Sequence, residues 1–104
     1  MLKIANHSIT MTELTFSKLP AKSGKGYLAW IPKHIVEFLK LSEKSYVEVS
    51  VRNLKKKDVL KFTKRVAKSG RGFLLWIPKD VSDYLLINER TMCELTIRKL
   101  GDKR

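Results

Sequence analysis

Acidic side chains are scarce in this sequence: 10 Asp and Glu stand against 22 Lys and Arg, a formal net charge of +12 at pH 7. The deficit is also local, since no acid occurs between Glu13 and Glu37 or between Asp58 and Asp80. Cys93 is the only cysteine, which excludes an internal disulfide and fits a reducing compartment. Two histidines, His7 and His34, are too few for a zinc site of ordinary ligand count, and Cys-His catalysis is equally unsupported. No apolar run approaches the roughly 20 residues of a membrane span. The opening MLKIANHSITM also lacks the continuous apolar core of a secretion signal. The expected setting is therefore cytoplasmic, without a membrane partner, cofactor, metal or small-molecule substrate.

What the sequence does have is an internal repeat. GKGYLAWIPK begins at Gly24 and GRGFLLWIPK at Gly70, 46 positions apart, and the alignment runs without a gap from Phe16 and from Phe62. Phe16 matches Phe62, AKSG matches AKSG, WIPK matches WIPK, and Glu48 and Arg52 match Glu94 and Arg98. Such agreement marks duplication of one structural unit. A unit this small buries a poor core alone, so the two are expected to pack about a pseudo-twofold axis into a single domain, 1–104. The first unit is 1–54 with an N-terminal extension and the second is 55–104. The KKKD stretch, Lys55 to Asp58, is read as the turn between them.

Each unit reads as strand, turn, strand, short helix, strand. The first strand, around Phe16 to Ala21 and Leu60 to Ala67, leads into a glycine turn, SGKG or SGRG, which predicts a hairpin. The second, Tyr27 to Ile31 and Phe73 to Ile77, is apolar on both faces, as in a buried central strand. Pro32 and Pro78 stop pairing and suit the first turn of a helix. Ile35, Phe38 and Leu39, with Val81, Tyr84 and Leu85, then predict the buried face of a helix barely two turns long. The third strand alternates: Val47, Val49 and Val51 on one face, then Cys93, Leu95 and Ile97, which assigns Cys93 to the core. The class is mainly β with two short helices.

The two acid-free stretches carry ten basic residues: Lys18, Lys22, Lys25 and Lys33, then Lys61, Lys64, Arg65, Lys68, Arg71 and Lys79. Acids and bases are mixed in the helix and third-strand portions. A twofold would set both acid-free hairpins on equivalent surfaces, a bipartite basic face suited to the phosphates of double-stranded DNA. Backbone N–H groups of the glycine turns add a weaker anion signal. Trp30 and Trp76 are read as core or half-to-half packing, with stacking on bases as the alternative.

The run WIPKHIVEFLKLSEKSYVEVSV and its repeat WIPKDVSDYLLINERTMCELTI resemble the AbrB-like (SpoVT-AbrB) swapped-hairpin family, which includes MazE-type antitoxins. The resemblance covers about Phe16 to Leu54 and Phe62 to Leu100. It implies interleaved hairpins forming a small β-barrel-like DNA-binding body, here a fused, single-chain pseudo-dimer. It places family DNA contacts at Lys18, Lys22, Lys25, Lys64, Lys68 and Arg71. Leu28 and Leu74 stand where the family often has arginine, which shifts the expected contact toward the hairpin turn.

The expected function is a nucleoid-associated DNA-binding protein, a transcription regulator or small architectural factor, acting as a monomeric pseudo-dimer or a homodimer. Lysine outnumbers arginine in the hairpins and acts as a point charge, which predicts low to moderate sequence specificity, with Arg65 and Arg71 the candidates for base-edge contact. An antitoxin-like protein-interaction module is the alternative, although only GDKR follows the last expected strand. No nucleophile, acid-base pair or metal set points to an enzyme.

Overall fold

A computed structural model describes residues 13–24, 26–70 and 72–102. The first unit contributes β1 (Glu13–Lys18), β2 (Ala21–Ser23), β3 (Gly26–Trp30), α1 (Lys33–Leu39) and β4 (Ser45–Asn53). The second contributes β5 (Val59–Arg65), β6 (Ala67–Ser69), β7 (Gly72–Ile77), α2 (Lys79–Leu85) and β8 (Cys93–Asp102). Of the first 14 residues, expected to add an edge strand, 1–12 lie outside the described residues, and Glu13 and Leu14 belong to β1, itself an edge.

The strands form two four-stranded antiparallel sheets, β1-β8-β4-β5 and β2-β3-β7-β6, and neither closes into a barrel. Exchanging the units maps each order onto its own reverse. The units are interleaved: β1 pairs with β8 of the second unit, β5 pairs with β4 of the first, and β3 pairs with β7. Val47, Val49, Val51, Leu95 and Ile97 line the inner face of the first sheet without solvent exposure, each worth about 1.5–3 kcal/mol of burial. Ala29, Leu75 and Ile77 of the second sheet, and Ile31 just after β3, join them in one core with Ile35, Leu39, Val81 and Leu85 of the helices.

The expected first strand is not continuous. It breaks at Pro20 and Val66, passing from one sheet into the other. In the second unit the N–H of Val66 leaves both ladders and donates to the Ser45 carbonyl at 2.9 Å. Pro20 has no N–H to give the equivalent carbonyl, that of Thr91, which instead accepts the Cys93 thiol at 3.4 Å.

Helix starts are also shifted. Pro32 and Pro78 are extended cap residues, with ψ of 143° and 144°, and the helices begin one residue later. Their carbonyls accept the first helical bonds, from Ile35 and Val36 and from Val81 and Ser82. The predicted face is corrected: Phe38 and Tyr84 are 61% and 62% exposed, whereas Val36 is half-buried and Ser82 buried. Around each seven-residue helix the core side runs from Ile35 through Leu39 to Val36, and from Val81 through Leu85 to Ser82, which leaves Phe38 and Tyr84 on the far flank; a left-handed residue, Lys40 or Leu86, follows at once. Each helix end is held by the other unit: Asn53 Nδ2 donates to the Leu85 carbonyl at 2.9 Å and Lys99 Nζ to the Lys40 carbonyl at 3.0 Å.

Candidate nucleic-acid interface

Both hairpins of the second sheet turn through two residues. Ser23 pairs with Gly26, and Ser69 with Gly72. Gly24 has φ 59°, a left-handed conformation that glycine adopts at no steric cost. Because β3 and β7 are antiparallel, with Tyr27 opposite Ile77 and Trp30 opposite Leu74, the two turns project from opposite ends of the sheet. Along the strands they are separated by nine residue steps, roughly 30 Å at about 3.3 Å per residue. The long dimension of the molecule is 48 Å. No acidic residue lies on the four strands of this sheet.

The basic residues singled out above divide among several surfaces. Lys22 and Lys68 are exposed beside the turns, opposite Tyr27 and Phe73. The Lys68 ammonium sits 5.7 Å from the centroid of the Phe73 ring, a cation–π contact that holds it there. Lys18, exposed, stands opposite Cys93 just before the chain crosses to the second sheet, and Lys64, half-buried, stands opposite Val47. Lys61 and Arg65 pair with Ser50 and Tyr46, which puts them on the outer face of the first sheet, away from the turns. That face is of mixed charge, with Arg52 bridging Glu94 at 3.4 Å and Arg98 bridging Glu48 at 3.2 Å.

Lys33 and Lys79 open the two helices and are exposed. Asp83, by hydrogen bond first and charge second, pushes the Lys79 pKa above its ordinary value, with an Nζ–Oδ2 distance of 2.8 Å. Lys33 has no acidic partner within 4.0 Å among the described residues. Lys25 and Arg71 lie outside the described residues. Cys93 is buried, and desolvation pushes its thiol up to about 11, so it is neutral and poorly nucleophilic.

The tryptophans depart from a simple core reading. Ala29 and Leu75 face the core, so their neighbours Leu28, Trp30, Leu74 and Trp76 share the outer face of the second sheet. Trp76 is 38% exposed, with its ring 3.7 Å from where a Cβ on Gly26 would stand. Trp30, half-buried, lines a cleft of about 480 Å3 with Gly72 and Phe73. Each tryptophan is thus set against the glycine turn of the opposite unit. The repeat displayed both partners, but only the β3–β7 register brings them together.

Among the described residues, no helix is long and apolar enough to cross a membrane. No protein-family model matches the chain, and no curated protein matches it in sequence. Among solved structures it is similar to the solution structure of PHS018 from Pyrococcus horikoshii, with a TM-score of 0.63 and 19% identity. The likeness covers 90% of this chain and 94% of that one, and at this identity it is a likeness of fold.

Proposed function

We propose that this protein binds double-stranded DNA as a single-chain pseudo-dimer of AbrB-like, swapped-hairpin type, serving as a transcription regulator or small architectural factor. One observation carries the reading: two basic turns, related by a pseudo-twofold, sit roughly 30 Å apart along an acid-free sheet, close to the ~34 Å of one turn of B-DNA. A duplex on that sheet would meet a cationic turn at each end. Lys22 and Lys68, set back from the turn tips and about four residue steps apart along the strands, hold phosphates between the two ends, with Lys18 at the sheet crossing and Lys25 and Arg71 contributing by their place in the sequence. Such contacts position a duplex without reading it, so affinity is salt-sensitive and specificity modest.

Replacing Lys22 and Lys68 together by alanine tests this. The expected result is weaker duplex binding, with the slope of log affinity against log salt reduced by about 2, at nearly unchanged thermal stability. Lys61→Ala with Arg65→Ala, on the other sheet face, is expected to do little. The reverse ranking, or no duplex binding at about 50 mM salt, sinks the proposal.

A second reading, a protein-interaction module, is favoured by one feature. Leu54, Leu86 and Met92 are exposed around a groove of about 580 Å3, bordered by Lys55, Lys56 and Arg90 and by no acid. The groove suits an acidic segment with an apolar anchor. Leu86→Lys, which places at that position the residue type of its counterpart Lys40, would abolish such docking and spare DNA binding.

A further inference from the structure

We infer that the chain also holds unpaired nucleobases, with Trp30 and Trp76 as stacking stations for a single strand. The inference rests on the nucleic-acid reading above but concerns a different ligand state on the outer face of the same sheet. Both rings lie on the outer face of the second sheet, whose other positions there are Leu28, Leu74 and the small residues Ala21, Ser23, Gly26, Ala67, Ser69 and Gly72. Leu28 and Leu74 are buried and the remaining positions are small, so a flat base can approach an indole ring.

The station at Trp30 is a formed cleft. Trp30, Ile31, Val36 and Phe73 give it apolar and aromatic walls, while Lys33 and Glu37 supply polar groups at its border. Its volume of about 480 Å3 is ample for a base and part of its sugar. Lys33 can meet a phosphate, and the Glu37 carboxylate can accept from an exocyclic amine. At Trp76 the equivalent lysine, Lys79, is bound to Asp83, and the station is an exposed ring over Gly26 rather than a cleft. The two stations are therefore unequal, with Trp30 the stronger.

Charge complementarity identifies the occupant. The strands of this sheet carry no acid, and Lys22, Lys68 and Lys33 flank it. A second copy of a chain with net charge +12 would bring like charges together, whereas a polyanion with exposed aromatic rings satisfies both the cations and the indoles. Stacking of a base on an aromatic side chain is worth ~1–3 kcal/mol, about 5- to 150-fold in affinity.

Trp30 and Trp76 are the only 2 tryptophans in the chain, so their emission reports on the site directly. The full chain is titrated with a short oligothymidylate and, separately, with a labelled duplex. Saturable quenching by the oligothymidylate is expected. Trp30→Ala is expected to weaken oligothymidylate binding by ~10-fold or more, and Trp76→Ala by ~5-fold, in each case by more than it weakens duplex binding. Trp30→Phe and Trp76→Phe, which keep a ring and guard against misfolding, are expected to retain most of the binding.

Absence of quenching, or equal oligothymidylate affinity in wild type and both alanine variants, overturns the inference even if duplex binding is intact. So does a tryptophan-dependent dimer found by light scattering, which would make the face a self-association surface. Quenching that survives in a chain unable to bind duplex leaves the stacking stations standing and removes the duplex reading instead.

Discussion

Truncating Asn53 should cost far more than truncating Lys99, although the two occupy equivalent places in the repeat. Asn53 is buried; its Nδ2 donates to the Leu85 carbonyl at 2.9 Å and its Oδ1 accepts the Lys55 N–H at 3.0 Å. Asn53→Ala leaves the end of α2 and the start of the inter-unit turn without these partners. Two bonds lost, one to a buried carbonyl, amount to about 2–3 kcal/mol. Lys99 donates to the Lys40 carbonyl at 3.0 Å and approaches Asp102 at 3.4 Å, but the hydrogen bond is exposed and water replaces it. Lys99→Ala should therefore cost below about 1 kcal/mol. Urea unfolding measures both as shifts in midpoint at constant slope, and in thermal melts Asn53→Ala should lower Tm by about 10 °C. Equal losses, or an Asn53→Ala cost below that of Lys99→Ala, would refute the claim that this cross-unit bond locks the helix end.

Three further outcomes follow from particular side chains. Leu39→Ala and Leu85→Ala should each cost about 2–5 kcal/mol, while Phe38→Ala and Tyr84→Ala stay within about 0.5 kcal/mol; chemical denaturation ranks them. Leu86, 63% exposed at φ 56°, holds a left-handed conformation disfavoured for leucine, so Leu86→Gly should raise stability by about 0.5–1 kcal/mol after the entropy cost of glycine. For Cys93, burial raises the folded pKa to about 11 from an ordinary 9.0, so its contribution to stability is intact below pH 9 and is lost as pH rises toward 11. The Cys93→Ala variant should lack that component of the alkaline decline, and a disulfide reagent should label native Cys93 only slowly.

Much of the architecture was legible because the chain repeats its own punctuation. Pro32 and Pro78 located the helix starts to within one residue, and the alternation of Val47, Val49 and Val51 identified a strand with one buried face. The break at Pro20 and Val66 was hidden because apolar alternation reads the same whichever sheet a strand joins. Phe38 and Tyr84 were misassigned because a seven-residue helix is too short for its period to separate one candidate face from the next.

The candidate site was legible as composition but not as geometry. Segregation of acids from bases picked out the hairpins, yet strand pairing alone separates Lys22 and Lys68, beside the turns, from Lys61 and Arg65 on another face. The meeting of each tryptophan with the opposite unit's glycine turn depends on the β3–β7 register, which side-chain pattern does not specify when both strand faces are apolar.

The central claim is that two turns, roughly 30 Å apart, grip one duplex. Fluorescence anisotropy with duplexes of increasing length, each across a salt series, tests it most directly. The prediction is one chain per duplex, with affinity and salt slope rising sharply once the duplex reaches about 10 base pairs, the length that spans both turns. Affinity that is already complete on a duplex of about half that length, or a salt slope near zero at every length, would contradict it.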